Sequence, residues 1–146
     1  MRLIQSLEDL RRSLTIKPTL EAVDRYRIAA PFAAIIRSEE ASGPITSAAF
    51  AAVLRFLQHD VFAVHCVGSV AAVALIADAV THCRFEATHT GSDEVVLMRI
   101  LQLQVALVAA HAGRTLDDEV VWNMIQVCEC GCVCVYEYVC VCALCL

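Results

Sequence analysis

Clustered basic residues are missing from this sequence. Its 11 Lys and Arg stand against 16 Asp and Glu, the net charge is −5, and no basic stripe runs along any segment. Phosphate backbones are held by grouped Lys and Arg, so the acidic balance argues against a nucleic-acid partner. Long apolar runs are missing as well. The most apolar internal stretch, Val67 to Ala77, falls short of the roughly 20 residues a bilayer-spanning helix needs and suits a buried helix instead. A secretory leader would open on a basic stretch followed by a continuous apolar run. Here Glu8, Asp9, Arg11 and Arg12 interrupt the start, so cytoplasmic residence is expected. Glycine is scarce, with five residues at turns, at helix ends or in the tail, and none of them builds a phosphate-cradling loop. Before Cys128 there is also no alternating Val/Ile/Thr-rich strand with an Asn-Gly turn, which leaves little basis for a sheet.

What is present is apolar side chain, 59% of the residues against 18% charged, recurring at helical spacing from Met1 to about Val127. Leu3, Leu7, Leu10 and Leu14 form a first stripe, which Lys17-Pro18-Thr19 ends because the residue before proline avoids helical angles. A second helix is expected from about Leu20 to Arg37, with Pro31 starting or kinking its second half. Ser42-Gly43-Pro44 reads as a turn, after which Thr46 or Ser47 caps a third helix with the stripe Phe50, Val53, Leu54 and Leu57. A looser stretch from His59 to Gly68 follows. Ser69 then caps a fourth helix reaching about Arg84. Ser92, Asp93 and Glu94 supply a cap and two carboxylates to a fifth, which runs to about Ala112 with Gly113 as its left-handed stop. Thr115 or Asp117 caps a sixth helix through Val127. The expected class is therefore all-α. Short helices stacked in order suggest an armadillo-like right-handed helical solenoid fragment over 1–127, although no repeat period is legible.

Residues 128–146 are of another kind. Seven of the nine cysteines lie there, and Cys128, Cys130, Cys132 and Cys134 alternate with Glu129, Gly131 and Val133, a pattern that Val139-Cys140-Val141-Cys142 repeats. An extended strand would put those sulfurs on one face. A thiolate cluster for zinc or copper(I) is one reading, but zinc ligands are usually spaced by two or more residues and nothing here offsets the thiolate charge. Membrane insertion is opposed by Glu129 and Glu137. The favoured reading is a low-complexity, repeat-derived tail, irregular or strand-like. A TG dinucleotide repeat encodes alternating Cys (TGT) and Val (GTG), and the interspersed Glu, Gly, Tyr and Ala codons each lie one base away.

No catalytic constellation stands out. His59, His65, His82, His89 and His111 are scattered, with no acid or nucleophile at a diagnostic spacing, and each reads more simply as a helix or surface residue. Cys66 and Cys83 lie in or beside apolar helical stretches and read as small buried hydrophobes. Asp117-Asp118-Glu119 lacks the alternation and glycine of a calcium loop; three carboxylates opening a helix are explained by its dipole. No cofactor and no metal site is expected.

Two longer stretches carry a signature. The first is Pro31-Phe32-Ala33-Ala34-Ile35-Ile36-Arg37-Ser38-Glu39, followed by Ser42-Gly43-Pro44-Ile45-Thr46. The second is Ala77-Asp78-Ala79-Val80-Thr81-His82-Cys83-Arg84-Phe85-Glu86, followed by Ser92-Asp93-Glu94-Val95-Val96-Leu97-Met98-Arg99-Ile100-Leu101-Gln102. In order and spacing both resemble the N-terminal dimerisation and cyclophilin-binding domain of the large Golgi Arf guanine-nucleotide exchange factors, the brefeldin A-resistance group. The likeness extends weakly from about Leu3 to Val127. It implies a non-catalytic helical module, 1–127, that associates with itself as a homodimer and with a homologous downstream region of the parent protein. Cyclophilin and Golgi membrane-recruitment factors are further implied partners, and the implied location is cytoplasmic, peripheral at Golgi membranes, in vesicle-mediated transport. Exchange activity would belong to a separate catalytic domain, which nothing here matches. The first family helix and those after Cys128 are missing, so a domain truncated at both ends is expected, with sticky apolar faces and marginal stability. In the family, self-association contacts use a basic and an acidic residue that match Arg55 and Glu94. Taken alone, such charges are usually solvated and a surface pair is worth only about 0–1 kcal/mol. The alternative function is a small cysteine-rich metal-binding or redox protein, and it rests wholly on 128–146.

Overall fold

In the computed structural model the described residues are 2–16, 19, 23–83 and 90–126, with the side chains of 2 and 90–94 excepted. Among them the regular structure is helical: α1 (Arg2–Ile16), α2 (Arg25–Ile36), α3 (Gly43–Gln58), α4 (Ser69–Thr81), α5 (Thr90–Ala109), a 3₁₀ turn (His111–Thr115) and α6 over 118–126. The all-α expectation therefore holds. Residues 127–146, with the whole Cys/Val tail, lie outside the described residues, as does His89.

Several helix ends differ from the sequence reading. α2 begins at Arg25, because Asp24 provides the cap: its Oδ1 accepts from the Tyr26 amide at 2.9 Å. The helix then runs through Pro31 to Ile36. α3 starts at Gly43, with Ser42 at the cap position and Pro44 in the first turn, where its missing amide costs nothing. Thr46 and Ser47 are thus helix-interior residues and not caps, and the Thr46 amide bonds back to the Ser42 carbonyl at 3.0 Å. Ser69 is the first residue of α4, while Gly68 takes the cap position in a left-handed conformation, φ 76°. α4 stops at Thr81, three residues before Arg84. α5 starts at Thr90, which places Ser92 inside it, and it ends at Ala109 instead of Ala112. Gly113 is not a left-handed stop. It sits in the 3₁₀ turn, and a Cβ there would lie 1.8 Å from the Leu107 carbonyl oxygen, so close packing is what requires glycine. Thr115 turns back onto the Ala112 carbonyl at 2.6 Å, leaving Asp117 ahead of α6.

The helices pack with near and next-near neighbours. α2 lies mainly against α4 and α3 mainly against α5, while α2 also touches α1 and α3. The ends of α2 and α4 meet where Arg37, Glu39, Thr81, His82 and Cys83 line one open cavity. The ends of α3 and α5 meet where Leu57, Asp60, Ala110 and Ala112 line another. The α2/α4 pair therefore runs one way and the α3/α5 pair the other. Between the two layers lies a core of Ile36, Phe50, Val53, Phe62, Val73, Ile76, Leu103 and Leu107, all at most 2% exposed. Each such aliphatic or aromatic side chain contributes about 1.5–3 kcal/mol on burial. A smaller cluster of Leu10, Val23 and Ile28 ties α1 to this body, bordered by Phe32 and Phe56, whose rings meet edge to face at 5.2 Å.

Candidate interaction surface

The two signature stretches meet in space. The first ends α2 and the second ends α4, and Arg37 Nη1 lies 2.6 Å from Asp78 Oδ2. His82 Nδ1 lies 3.1 Å from the other carboxylate oxygen, Oδ1, and 3.0 Å from the Asp78 carbonyl. All three side chains are about half exposed, so water screens them and the pair is worth at most about 1 kcal/mol. The cluster adds charge complementarity to the junction between α2 and α4. Beside it, burial pushes the Cys83 thiol up to about 11, which keeps it neutral at ordinary pH and agrees with its reading as a small hydrophobe. Cys66 also faces the protein: Arg25 Nη2 donates to its Sγ at 3.4 Å, while Nη1 donates to the Val23 carbonyl at 3.2 Å. Nothing in the local pattern around Asp24-Arg25-Tyr26 signalled that Arg25 would be buried, at 3% exposure. It is drawn in because Gly68 and Val67 close over the start of α2, with the Arg25 amide donating to the Val67 carbonyl at 2.9 Å.

Arg55 and Glu94, the residues matched to self-association, lie on neighbouring helices but far apart. Arg55 is exposed in the last turn of α3. The side chain of Glu94 lies outside the described residues, and its backbone belongs to the start of α5. Because α3 and α5 end together, Arg55 stands about level with residue 106. At 1.5 Å per residue, Glu94 is then roughly 18 Å away along the axis. The fold does not bring the two together within one chain.

The more conspicuous surface is apolar. α5 buries Val96, Ile100, Leu103 and Leu107 yet leaves Val95, Met98, Val105 and Val108 exposed, and α6 exposes Trp122 and Ile125. A reading for one buried stripe misses this, because α5 is apolar on nearly every side; the exposed positions separate from the buried ones only once the packing partner is known. Among the described residues no group of three or more His, Cys, Asp or Glu side chains is placed to hold a metal ion, and no helix is long and apolar enough to cross a membrane.

Helices in two packed layers, with an apolar outer face on α5, define an all-α domain. More particularly, the chain is homologous over most of its length to the large Arf guanine-nucleotide exchange factors. It is 36% identical to ARF guanine-nucleotide exchange factor GNL1 and 37% identical to ARF guanine-nucleotide exchange factor GNOM, both of Arabidopsis thaliana, over 86% of this chain and 9% of each relative. It is 35% identical to the Golgi-specific brefeldin A-resistance guanine nucleotide exchange factor 1 homolog of Caenorhabditis elegans, over 86% of this chain and 6% of that protein. The chain thus spans less than a tenth of the length of these curated relatives. No family model matches it.

Proposed function

We propose that residues 1–127 act as a non-catalytic self-association and regulatory module of an Arf guanine-nucleotide exchange factor in Golgi vesicle-mediated transport, of the dimerisation and cyclophilin-binding type. The observation that carries this reading is the similarity to Arf exchange factors across 86% of the chain, in a segment less than a tenth of their length. A piece so small, and mostly helical in its described residues, is suited to contacts between subunits and domains. The two-layer packing of each helix on its next-near neighbour supports an armadillo-like solenoid, whose flanks are docking surfaces by construction. In this reading the partners are a second copy, the homologous downstream region of the parent protein, cyclophilin and Golgi recruitment factors. The module is cytoplasmic and peripheral at Golgi membranes, and any exchange activity resides in a separate catalytic domain.

The roughly 18 Å between the Arg55 and Glu94 levels favours their pairing between chains over pairing within one. The experiment is sedimentation of the chain over a wide concentration range, beside a nucleotide-exchange assay on Arf. The expected outcome is reversible self-association, weakened by Glu94→Lys, with no acceleration of exchange by the chain alone. A chain that catalyses exchange, or one that stays monomeric at every concentration, would sink the reading. Unchanged association in the Glu94 variant would remove that residue from the interface.

A further inference from the structure

Where the ends of α3 and α5 meet, the chain walls an open cavity of about 540 Å³. Its floor is apolar, since Leu57, Phe62 and Ala112 belong to the buried core. Its mouth is polar. Asp60, His65 and His111 line it, the first two from the segment after α3 and the third from the 3₁₀ turn, and all three are exposed. A cavity of this size, apolar within and carrying a few polar groups, has the proportions of a small-molecule site. Its walls are formed in advance. The Ala63 amide donates to the Asp60 carbonyl at 3.0 Å and the Cys66 amide to the Ala63 carbonyl at 2.9 Å, so successive turns hold one wall. On the other wall the Gly113 amide donates to the Ala110 carbonyl at 2.9 Å. A site already ordered loses less to ordering when its ligand binds.

We propose that this cavity binds a small organic cation, an amine on an apolar body, whose ammonium group is held by Asp60. The inference is independent of the self-association reading. Conformation is the first argument. Asp60 sits at φ 52°, the left-handed position where helix endings usually carry glycine. Glycine would be unstrained there, yet the chain keeps a carboxylate, and strain retained in this way is a mark of ligand clamps. Charge is the second argument. Among the described residues no ion pair uses Asp60, and neither Arg55 nor Arg114 lines the cavity. An ammonium group has three donors and no acceptor, so it complements a carboxylate and the acceptor nitrogen of a neutral imidazole. Around this end of the α3/α5 pair, Asp117, Asp118 and Glu119 join Asp60 and outnumber Arg55 and Arg114, which also favours a cation over an anion. Spacing is the third argument. Asp60, His65 and His111 line one mouth, but among the described residues no such group is placed to hold a metal ion. What suits them is a ligand that spans the mouth and sets its apolar body on Leu57 and Phe62.

The test is a titration of the full chain with phenethylamine, phenethyl alcohol and hydrocinnamate, followed by amide and imidazole NMR shifts. The amine is expected to bind saturably and at least about tenfold more tightly than the alcohol, the difference a charged hydrogen bond supplies. Its largest shifts are expected at Phe62, His65 and His111, and the carboxylate is expected not to bind. Asp60→Asn and Asp60→Gly are each expected to bring the amine down to the affinity of the alcohol, with denaturant midpoints as the check that both variants stay folded. Equal affinity for amine and alcohol overturns the inference, and so does an amine affinity unchanged in both variants. Saturable binding by none of the three probes overturns the site itself. Tighter binding of Nα-acetyl-lysine methylamide than of phenethylamine overturns a free amine as the ligand and gives the cavity to a lysine side chain of a protein.

Discussion

Gly68 stands at φ 76° against the residue that caps α2. A Cβ at this position would lie 1.9 Å from Asp24 Oδ1 and 3.1 Å from the Tyr26 nitrogen, the two atoms of the capping hydrogen bond. Replacing it with alanine therefore acts twice: it forces an L-residue into the left-handed region, costing about 1–2 kcal/mol, and it displaces a cap worth about 1 kcal/mol. Gly68→Ala is expected to lower stability by about 2–3 kcal/mol in urea unfolding, with a loss of the same sign but smaller size in Asp24→Ala. If the two variants are destabilised equally, the glycine acts only through the cap and the strain is absent. Val67-Gly68-Ser69 in the sequence marks a helix start, but it cannot say that this start is docked on another, 44 positions earlier. Helix-capping chemistry is local and legible; which two caps touch is tertiary and is not.

At the scale of elements, the helices were legible from their stripes and their ends were less so. Leu3, Leu7 and Leu10 do face the body of the protein, and Phe50, Val53 and Leu57 do fill its core. Proline in the first turn lets α3 begin one turn earlier than its expected caps, from Ser42, and Gly68 takes the cap position of α4 in a left-handed conformation, while Thr46 and Ser69 are buried within their helices. At the other end of α3 an unsuspected motif stops the helix. The Val61 amide bonds to the Phe56 carbonyl at 2.9 Å and the Asp60 amide to the Leu57 carbonyl at 3.2 Å, with Asp60 at φ 52°. That is a Schellman ending with aspartate where glycine is usual, and Val61 and Phe56 both pack against the small cluster of Leu10, Val23 and Ile28. Asp60→Gly relieves the left-handed cost while loosening the unfolded chain, so it is expected to be neutral or to stabilise by up to about 1 kcal/mol. Asp60→Ala, without the local hydrogen bonding that lets Asp tolerate this region, is expected to lose about 1 kcal/mol. Denaturant midpoints of the pair decide the matter; a destabilised glycine variant would mean that the Asp60 side chain itself holds the turn.

For the whole molecule, the balance between buried and exposed apolar surface sets how it behaves. The two-layer core is shut off from water, but the outer faces of α5 and α6 present Met98, Val105, Trp122 and Ile125 to it. Such surface lowers the solubility of a single copy; in the proposed self-association a second copy would remove it from water, and folding and association would then be linked. Binding that occurs only in the native state stabilises it by mass action, and the unfolding midpoint then rises with protein concentration. The expectation is a thermal transition that is broad and low at dilute concentration and moves upward as concentration increases. Trp122, the only tryptophan in the sequence and 60% exposed, is expected to be readily quenched by acrylamide. Val105→Asp should leave the dilute midpoint unchanged, because residue 105 is solvated in the single copy and contributes little to its core. A sharp midpoint that is the same at every concentration would contradict the linkage, since it would require these exposed apolar faces to be indifferent to a second copy.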